Sequence, residues 1–419
     1  MHHKEVLPDG LTILTEEMHN IRSVTLGVWL KQGSRHEMPH ENGISHFIEH
    51  LLFKGTQRRS AAEIARTIDS IGGQCDAFTS KEYTCFYARV LDDHLLLALD
   101  LLSDIVLHPK FDPENIEKER KVIFEEIKMV EDSPDELVYD LFTETFWRSH
   151  PLGRPIQGTV ESVSALGPEA LVSYFREVYS PANVVIAAAG HLDSSRFVQM
   201  AREAFSAMPA SGAPRQVAPP LAQPGIVTRE KKDLEQLHLC LGVEAYEQGH
   251  PARYTGYVMN TLLGGTMSSR LFQRIREERG LAYTVFSSIN SFADTGYLIV
   301  YAATRPEGGR EVIEQVCAEL ARLKDLPLAE SEVHAAKDHL KGSLMLSLES
   351  SSSRMSNLAR QDIYYNRQFS LDEIIEGIDQ VTTVDVQQLA RTLLVSGGCT
   401  VAALGNLSHL NLTPDRIRF

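Results

Sequence analysis

Hydrophobic positions along the chain alternate in some stretches and recur every three to four residues in others. Leu11 to Thr15 reads as a short strand after an Asp9-Gly10 turn. Val24, Leu26, Val28 and Leu30 alternate, which predicts a half-buried strand over 23–31. A loop from Gly33 to Gly43 leads to a helix over about 42–54, and Ala61 to Ile71 forms a second helix stopped by Gly72-Gly73. Strands follow at Cys75–Thr79 and Tyr83–Val90, then a helix over about 92–107. Phe111-Asp112-Pro113-Glu114 is a helix start, with Asp as cap, Pro at the first helical position and an acid in the first turn. That helix runs to about Val130, with Ile116, Ile123 and Val130 on its buried stripe. Residues 136–148, 168–179 and 194–207 read as further helices, with a strand at 183–190.

A Pro- and Gly-rich stretch, 213–225, separates 1–212 from 226–419 and is the expected domain boundary. Beyond it the pattern repeats. Leu237, Leu239, Leu241 and Val243 alternate like Val24 to Leu30. A helix carrying Tyr257 to Leu263 ends at Gly264-Gly265, and another spans Ser269 to Glu278. Strands over 283–287 and 297–304 and helices over 309–323 and 330–346 complete the likeness. The expected class is therefore α+β, with two similar α/β-sandwich halves, each a mixed sheet with helices packed on it.

Composition sets the limits. The chain has 419 residues, 43% apolar and 23% charged, enough for more than one sizeable core. Its net charge of −15 argues against nucleic-acid binding. The five cysteines, Cys75, Cys85, Cys240, Cys317 and Cys399, are scattered without a C-x-x-C pair, so neither a disulfide framework nor a thiolate metal site is expected. The start has no apolar leader, and no apolar run approaches the roughly 20 residues that span a bilayer. These features fit a cytoplasmic or already processed chain that has no membrane partner.

Chemistry concentrates in His46-Phe47-Ile48-Glu49-His50. On a helix, His46 and His50 lie four apart on one face, so two imidazoles can bind one metal ion. Glu49 lies beside them, and a free carboxylate there can take a proton from a metal-activated water. This order, H-x-x-E-H, is the inverted zincin motif. The later helix supplies a third donor. Glu119 and Glu126 fall on the stripe of Ile116 and Ile123, where carboxylates are costly without a compensating cation or hydrogen bonds. Glu126 is the expected third ligand. Glu119, one layer out, would orient a ligating histidine. His36, His40 and His150 read as loop and packing residues, and the serine run Ser350–Ser353 has no triad pattern around it. Aligning Leu51-Leu52 with Leu262-Leu263 sets Tyr257, Asn260 and Thr261 against His46, Glu49 and His50, so the second half lacks the ligands.

Four stretches carry a resemblance to a known family: NGISHFIEHLLFKGT (42–56), NIEKERKVIFEEIKMVEDSP (115–134), HPLGRPIQGT (150–159) and GGTMSSRLFQRIREERGLAYTVFS (264–287). The chain resembles the pitrilysin/insulysin metallopeptidases, in particular the short members related to the mitochondrial processing peptidase beta subunit. Glu126 follows His50 by 76 residues, as in that family. The resemblance implies a clam-like protomer holding one Zn²⁺ per chain on His46, His50 and Glu126, with Glu49 as general base and Glu119 supporting the ligands. It carries over Arg276 and Tyr283 as residues that close over the peptide and stabilise the oxyanion. It also implies that substrate adds as a strand to the edge formed by Asp76-Ala77-Phe78-Thr79. Many active relatives carry Asn where Asp76 stands, and an acid there would either favour basic residues near the scissile bond or perturb Glu49. The implied function is a zinc endopeptidase that cleaves short or unfolded peptides, with the processing of basic precursor segments as one expected use, and acts as a homodimer. The alternative is a non-catalytic or partner-dependent peptide-binding subunit, against which the intact His46, Glu49, His50, Glu119 and Glu126 set argues.

Overall fold

The computed structural model describes residues 2–210, 215–395 and 397–419. It holds two mixed sheets in two compact units. One unit comprises Met1–Lys128, Arg154–Ala218 and Ser347–Gln368, and the other Met129–Gly153, Pro219–Leu346 and Phe369–Phe419. The chain thus crosses between units after residues 128, 153, 218, 346 and 368. Residue 218 lies within the stretch read as a linker, of which residues 213 and 214 fall outside the described residues.

In the first unit the strands are β1 (His2–Val6), β2 (Thr12–Glu17), β3 (Ser23–Leu30), β4 (Gln74–Thr79), β5 (Thr84–Leu91) and β6 (Val184–Gly190). Their order is β1-β2-β6-β3-β5-β4, with β2 parallel to β6 and the other neighbours antiparallel. In the second unit they are β7 (Gly225–Glu230), β8 (Leu237–Ala245), β9 (Ala282–Ser291), β10 (Gly296–Thr304) and β11 (Thr400–Gly405), in the order β7-β11-β8-β10-β9. Only β7 and β11 are parallel. Setting β1 aside, the two sheets have one topology, so the repeat read from alternating residues is a repeat of fold. The strands β1, β7 and β11 carry no marked alternation, so the hydrophobic pattern does not predict them.

The strands over 23–30 and 237–245 are not half-buried as expected. Both faces of each are covered, so nearly every position is buried. On β3, Val24, Leu26 and Val28 face one core, shared with the helices α1 (Ile44–Leu52), α2 (Ala61–Asp69), α3 (Leu95–Leu107) and α4 (Pro113–Asp132). Trp29 faces the other way, against Met355, Leu358 and Ala359 of the helix Ser351–Tyr365. That helix comes from late in the chain, and Trp29 Nε1 donates to Met355 Sδ (3.1 Å). The second unit does the same with the helix Pro134–Phe146, whose Phe142 and Phe146 pack with Cys240, Tyr297 and Ile299. A glycine makes room for each covering helix. A Cβ at Gly27 would lie 2.8 Å from Met355 Sδ, and one at Gly242 2.4 Å from the Phe142 ring. Burial on both faces also explains the unbroken apolar run of β6, where alternate residues serve the two cores. All five cysteines are free. Among the described residues no helix is long and apolar enough to cross a membrane.

Candidate metal centre

The metal motif sits on α1, a helix fixed at both ends. At its start the buried Glu37 carboxylate accepts from the amides of Gly43 and Ser45 (both 2.9 Å) and from Asn42 Nδ2 (3.4 Å). These are amides that a helix N-terminus leaves without partners. The Ser45 hydroxyl lies 2.9 Å from Tyr174 Oη. Ile44, Phe47, Ile48, Leu51 and Leu52 are buried, which turns His46, Glu49 and His50 together to the remaining face.

The helix α4 runs alongside, starting where Asp112 Oδ1 accepts from Glu114 N (2.9 Å). Asn115 Nδ2 donates to Lys54 O (3.2 Å), just past the end of α1. Arg120 lies over the Phe47 ring (5.2 Å) and donates through Nη2 to Leu166 O (2.8 Å). These contacts fix the rotation of α4, so Glu119 and Glu126 face α1. Ile116, Glu119, Arg120 and Ile123 form the buried stripe, with Val130 only half-buried at its end.

Glu126 Oε2 lies 3.4 Å from His50 Nε2 and 3.6 Å from His46 Nε2. Donor atoms of the three residues lie within 4.8 Å of one another, and among the described residues this is the only such group. Two imidazole nitrogens and one carboxylate oxygen are a zinc donor set. Ligands at Zn–N distances near 2.05 Å in a tetrahedron are separated by roughly 3.3–3.4 Å, so the spacing fits as well as the chemistry. His50 Nδ1 lies 3.3 Å from Glu119 Oε2, whose other oxygen is 3.0 Å from Lys54 Nζ. Among the described residues, His46 Nδ1 is buried without a hydrogen-bond partner.

Electrostatics follows from burial and from these contacts. Burial holds the His46 pKa well below its usual value, with the His50 charge adding to the effect, so its imidazole stays neutral as a ligand must be. Burial also opposes charge on His50, but bonding to Glu126 and Glu119 outweighs it and raises that pKa. The Glu126 carboxyl is lowered, first by its hydrogen bond to His50. Burial raises Glu49, the Thr79 hydroxyl works against this by donating to Glu49 Oε2, and the charges of Asp76 and Glu126 raise it further.

Thr79 ends β4, the free edge of the first sheet. Cys75, Ala77 and Thr79 are half-buried there, while Gln74, Asp76 and Phe78 are exposed. Arg276 and Tyr283 lie in the second unit. The Arg276 guanidinium stacks on the Tyr283 ring (4.7 Å) and on Phe272 (4.6 Å), and Tyr283 is 74% exposed. In that unit Asn260, aligned with Glu49, accepts from the Ser287 hydroxyl (2.8 Å). His36 and His150 accept from nearby loop amides (both 3.1 Å), and Ser351 pairs with Thr25 (2.8 Å), all in packing roles.

Three supporting residues escape a reading by motif. Lys54 stands four after His50 and was accessible through helical spacing. Glu37 reaches from the loop before α1 to amides five to eight residues on, and Arg120 acts through contacts distant in sequence, so neither leaves a periodic signal.

Residues 12–160 match the model of the insulinase family, peptidase family M16, and residues 165–340 match that of the M16 inactive domain. A protein of Bacillus subtilis named an uncharacterized zinc protease is 44% identical over 385 residues, 92% of this chain and 94% of that protein. A Mycobacterium leprae protein named likewise is 41% identical over 421 residues, 99% and 94% of the two chains. Among solved structures, a protease from Helicobacter pylori superposes with a TM-score of 0.92 at 21% identity, covering 97% of this chain and 99% of that one. An M16 inactive-domain protein from Pseudomonas fluorescens gives 0.91 at 20% identity, covering 97% and 98%. With two family models covering most of its length, a shared fold and close relatives named zinc proteases, the chain belongs to the insulinase, or pitrilysin, family of M16 peptidases.

Proposed function

We propose that the protein is a zinc endopeptidase acting on short or unfolded peptides, its chemistry carried by the first unit and the second contributing to substrate binding. The observation that carries this reading is the convergence of His46, His50 and Glu126 with Glu49 beside them. When bound there, zinc would lower the pKa of a water and polarise a peptide carbonyl. Glu49 moves the proton. Its Oε2 is held by Thr79, and Oε1 takes the proton from the attacking water and returns it to the leaving amine. A pKa raised by burial suits both halves of that exchange, because the carboxyl is neither too weak a base nor too reluctant an acid. Glu119 fixes the His50 tautomer by accepting from Nδ1, which leaves Nε2 for the metal. Arg276 and Tyr283 offer donors to the developing oxyanion. The substrate lies along the open edge of β4 as an added strand. The working unit is a homodimer, which a mass measurement in solution tests.

The test is cleavage of a quenched, unstructured peptide by the purified chain. Activity is lost on chelation and regained with zinc. A chain that takes up zinc but cuts nothing in a broad peptide set would instead be a binding subunit.

Glu119→Gln tests the supporting contact. The amide holds His50 less firmly, so zinc affinity falls about 10–100-fold while the fold persists. Competition with a fluorescent chelator measures it, and an unchanged affinity would remove Glu119 from the centre.

A further inference from the structure

The open edge of β4 is not bare. Ser80 N donates to Tyr83 O (2.8 Å), closing the β4–β5 turn. Pairing continues from there as Thr79–Thr84, Phe78–Cys85, Ala77–Phe86 and Asp76–Tyr87. Hydrogen-bonded and non-bonded pairs alternate along an antiparallel ladder. Ser80, Phe78 and Asp76 therefore turn their amides to β5, and Thr79, Ala77 and Cys75 turn theirs to the free edge. These outward amides are the ones an added strand must use. The amide of Ala77 is already engaged, since it donates to Asp76 Oδ1 at 2.8 Å. Asp76 is itself exposed, and among the described residues no Lys, Arg or His forms an ion pair with it.

We infer that Asp76 guards the edge and sets its specificity: its carboxylate occupies the Ala77 amide until a peptide carrying a basic side chain draws it away. The inference rests on the proposed strand addition at β4. A neutral peptide must break the Asp76–Ala77 bond and leaves the carboxylate without that partner. A peptide with Lys or Arg beside the paired segment gives the carboxylate a new partner as it frees the amide. The charge of Asp76 then governs which peptides bind.

Substitution separates the two parts. Asp76→Asn keeps an oxygen able to hold the Ala77 amide but removes the charge, whereas Asp76→Ala removes both. Binding of labelled peptides, identical except for one Lys or one Gln, is measured by fluorescence anisotropy on the full zinc-loaded chain carrying Glu49→Gln, so that nothing is cut. With Asp76 present the Lys peptide binds about 10-fold more tightly, and the preference shrinks as salt rises. Asp76→Asn abolishes the preference. Asp76→Ala abolishes it too, and also tightens the Gln peptide several-fold. Equal affinities for the two peptides with Asp76 present, or a weaker Gln peptide in Asp76→Ala, would overturn the inference. Peptides that bind nowhere on the Glu49→Gln chain would refute strand addition itself, a different failure.

Discussion

Glu49→Gln lowers kcat for peptide cleavage by about 10³–10⁴-fold while zinc content and KM stay near those of the unaltered chain. Gln has the shape of Glu and still offers an oxygen to the Thr79 hydroxyl, so the packing around α1 is kept. What it loses is the capacity to take and return a proton. A positioned acid or base contributes about 10²–10⁴ to a rate. Glu49 serves as base toward water and as acid toward the leaving amine, which puts the expected loss in the upper part of that range. Steady-state kinetics with a quenched peptide, beside metal analysis of the same sample, decide it. A variant that holds zinc and retains a tenth or more of the rate would show that the proton goes elsewhere.

Glu37 governs stability through pH. Its carboxyl is wholly buried, and burial raises its pKa to about 7 even though the amides of Ser45 and Gly43 pull the other way. A carboxyl in the unfolded chain titrates near 4.5. Between these values the folded state binds the extra proton, so folding stability falls as pH rises. The contribution is fully present below about 4.5 and is lost as pH passes through about 7. At about 1.4 kcal/mol per pH unit, the loss is on the order of 3 kcal/mol. Urea unfolding from pH 4.5 to 8 measures it, with Glu37→Gln as reference because an amide cannot titrate. The difference between the two chains should close the window by about that amount, and parallel pH profiles would refute the assignment. The effect reaches the metal centre, since Glu37 holds the first amides of the helix that carries His46 and His50.

The parts of this molecule visible in its sequence are those with a local signature. The start of α4 could be read from Asp112-Pro113 because capping is local chemistry, and the inward turn of Glu119 followed from the seven-residue spacing of Ile116 and Ile123. The repeat was legible because alternation survives wherever a strand keeps one apolar face. It misled on burial, since Thr25, Gly27 and Trp29 look like a solvent-facing set until a helix more than 300 residues away covers them. Only the fold brings Ser351–Tyr365 to β3, or Pro134–Phe146 to β8, and composition carries no trace of such an exchange. The same holds for Glu37, Arg120 and the Asp76–Ala77 bond, each defined by where a side chain ends up rather than by its spacing.

The central claim is that His46, His50 and Glu126 hold one zinc ion between two helices. Metal analysis after zinc loading and extensive dialysis tests it most directly, on the unaltered chain and on Glu126→Gln, with circular dichroism to show that both are folded. The expected result is one zinc per unaltered chain and an affinity at least about 100-fold weaker in Glu126→Gln, a larger loss than a supporting residue causes. An unaltered chain that retains no zinc, or a folded Glu126→Gln chain that holds it equally well, would contradict the claim.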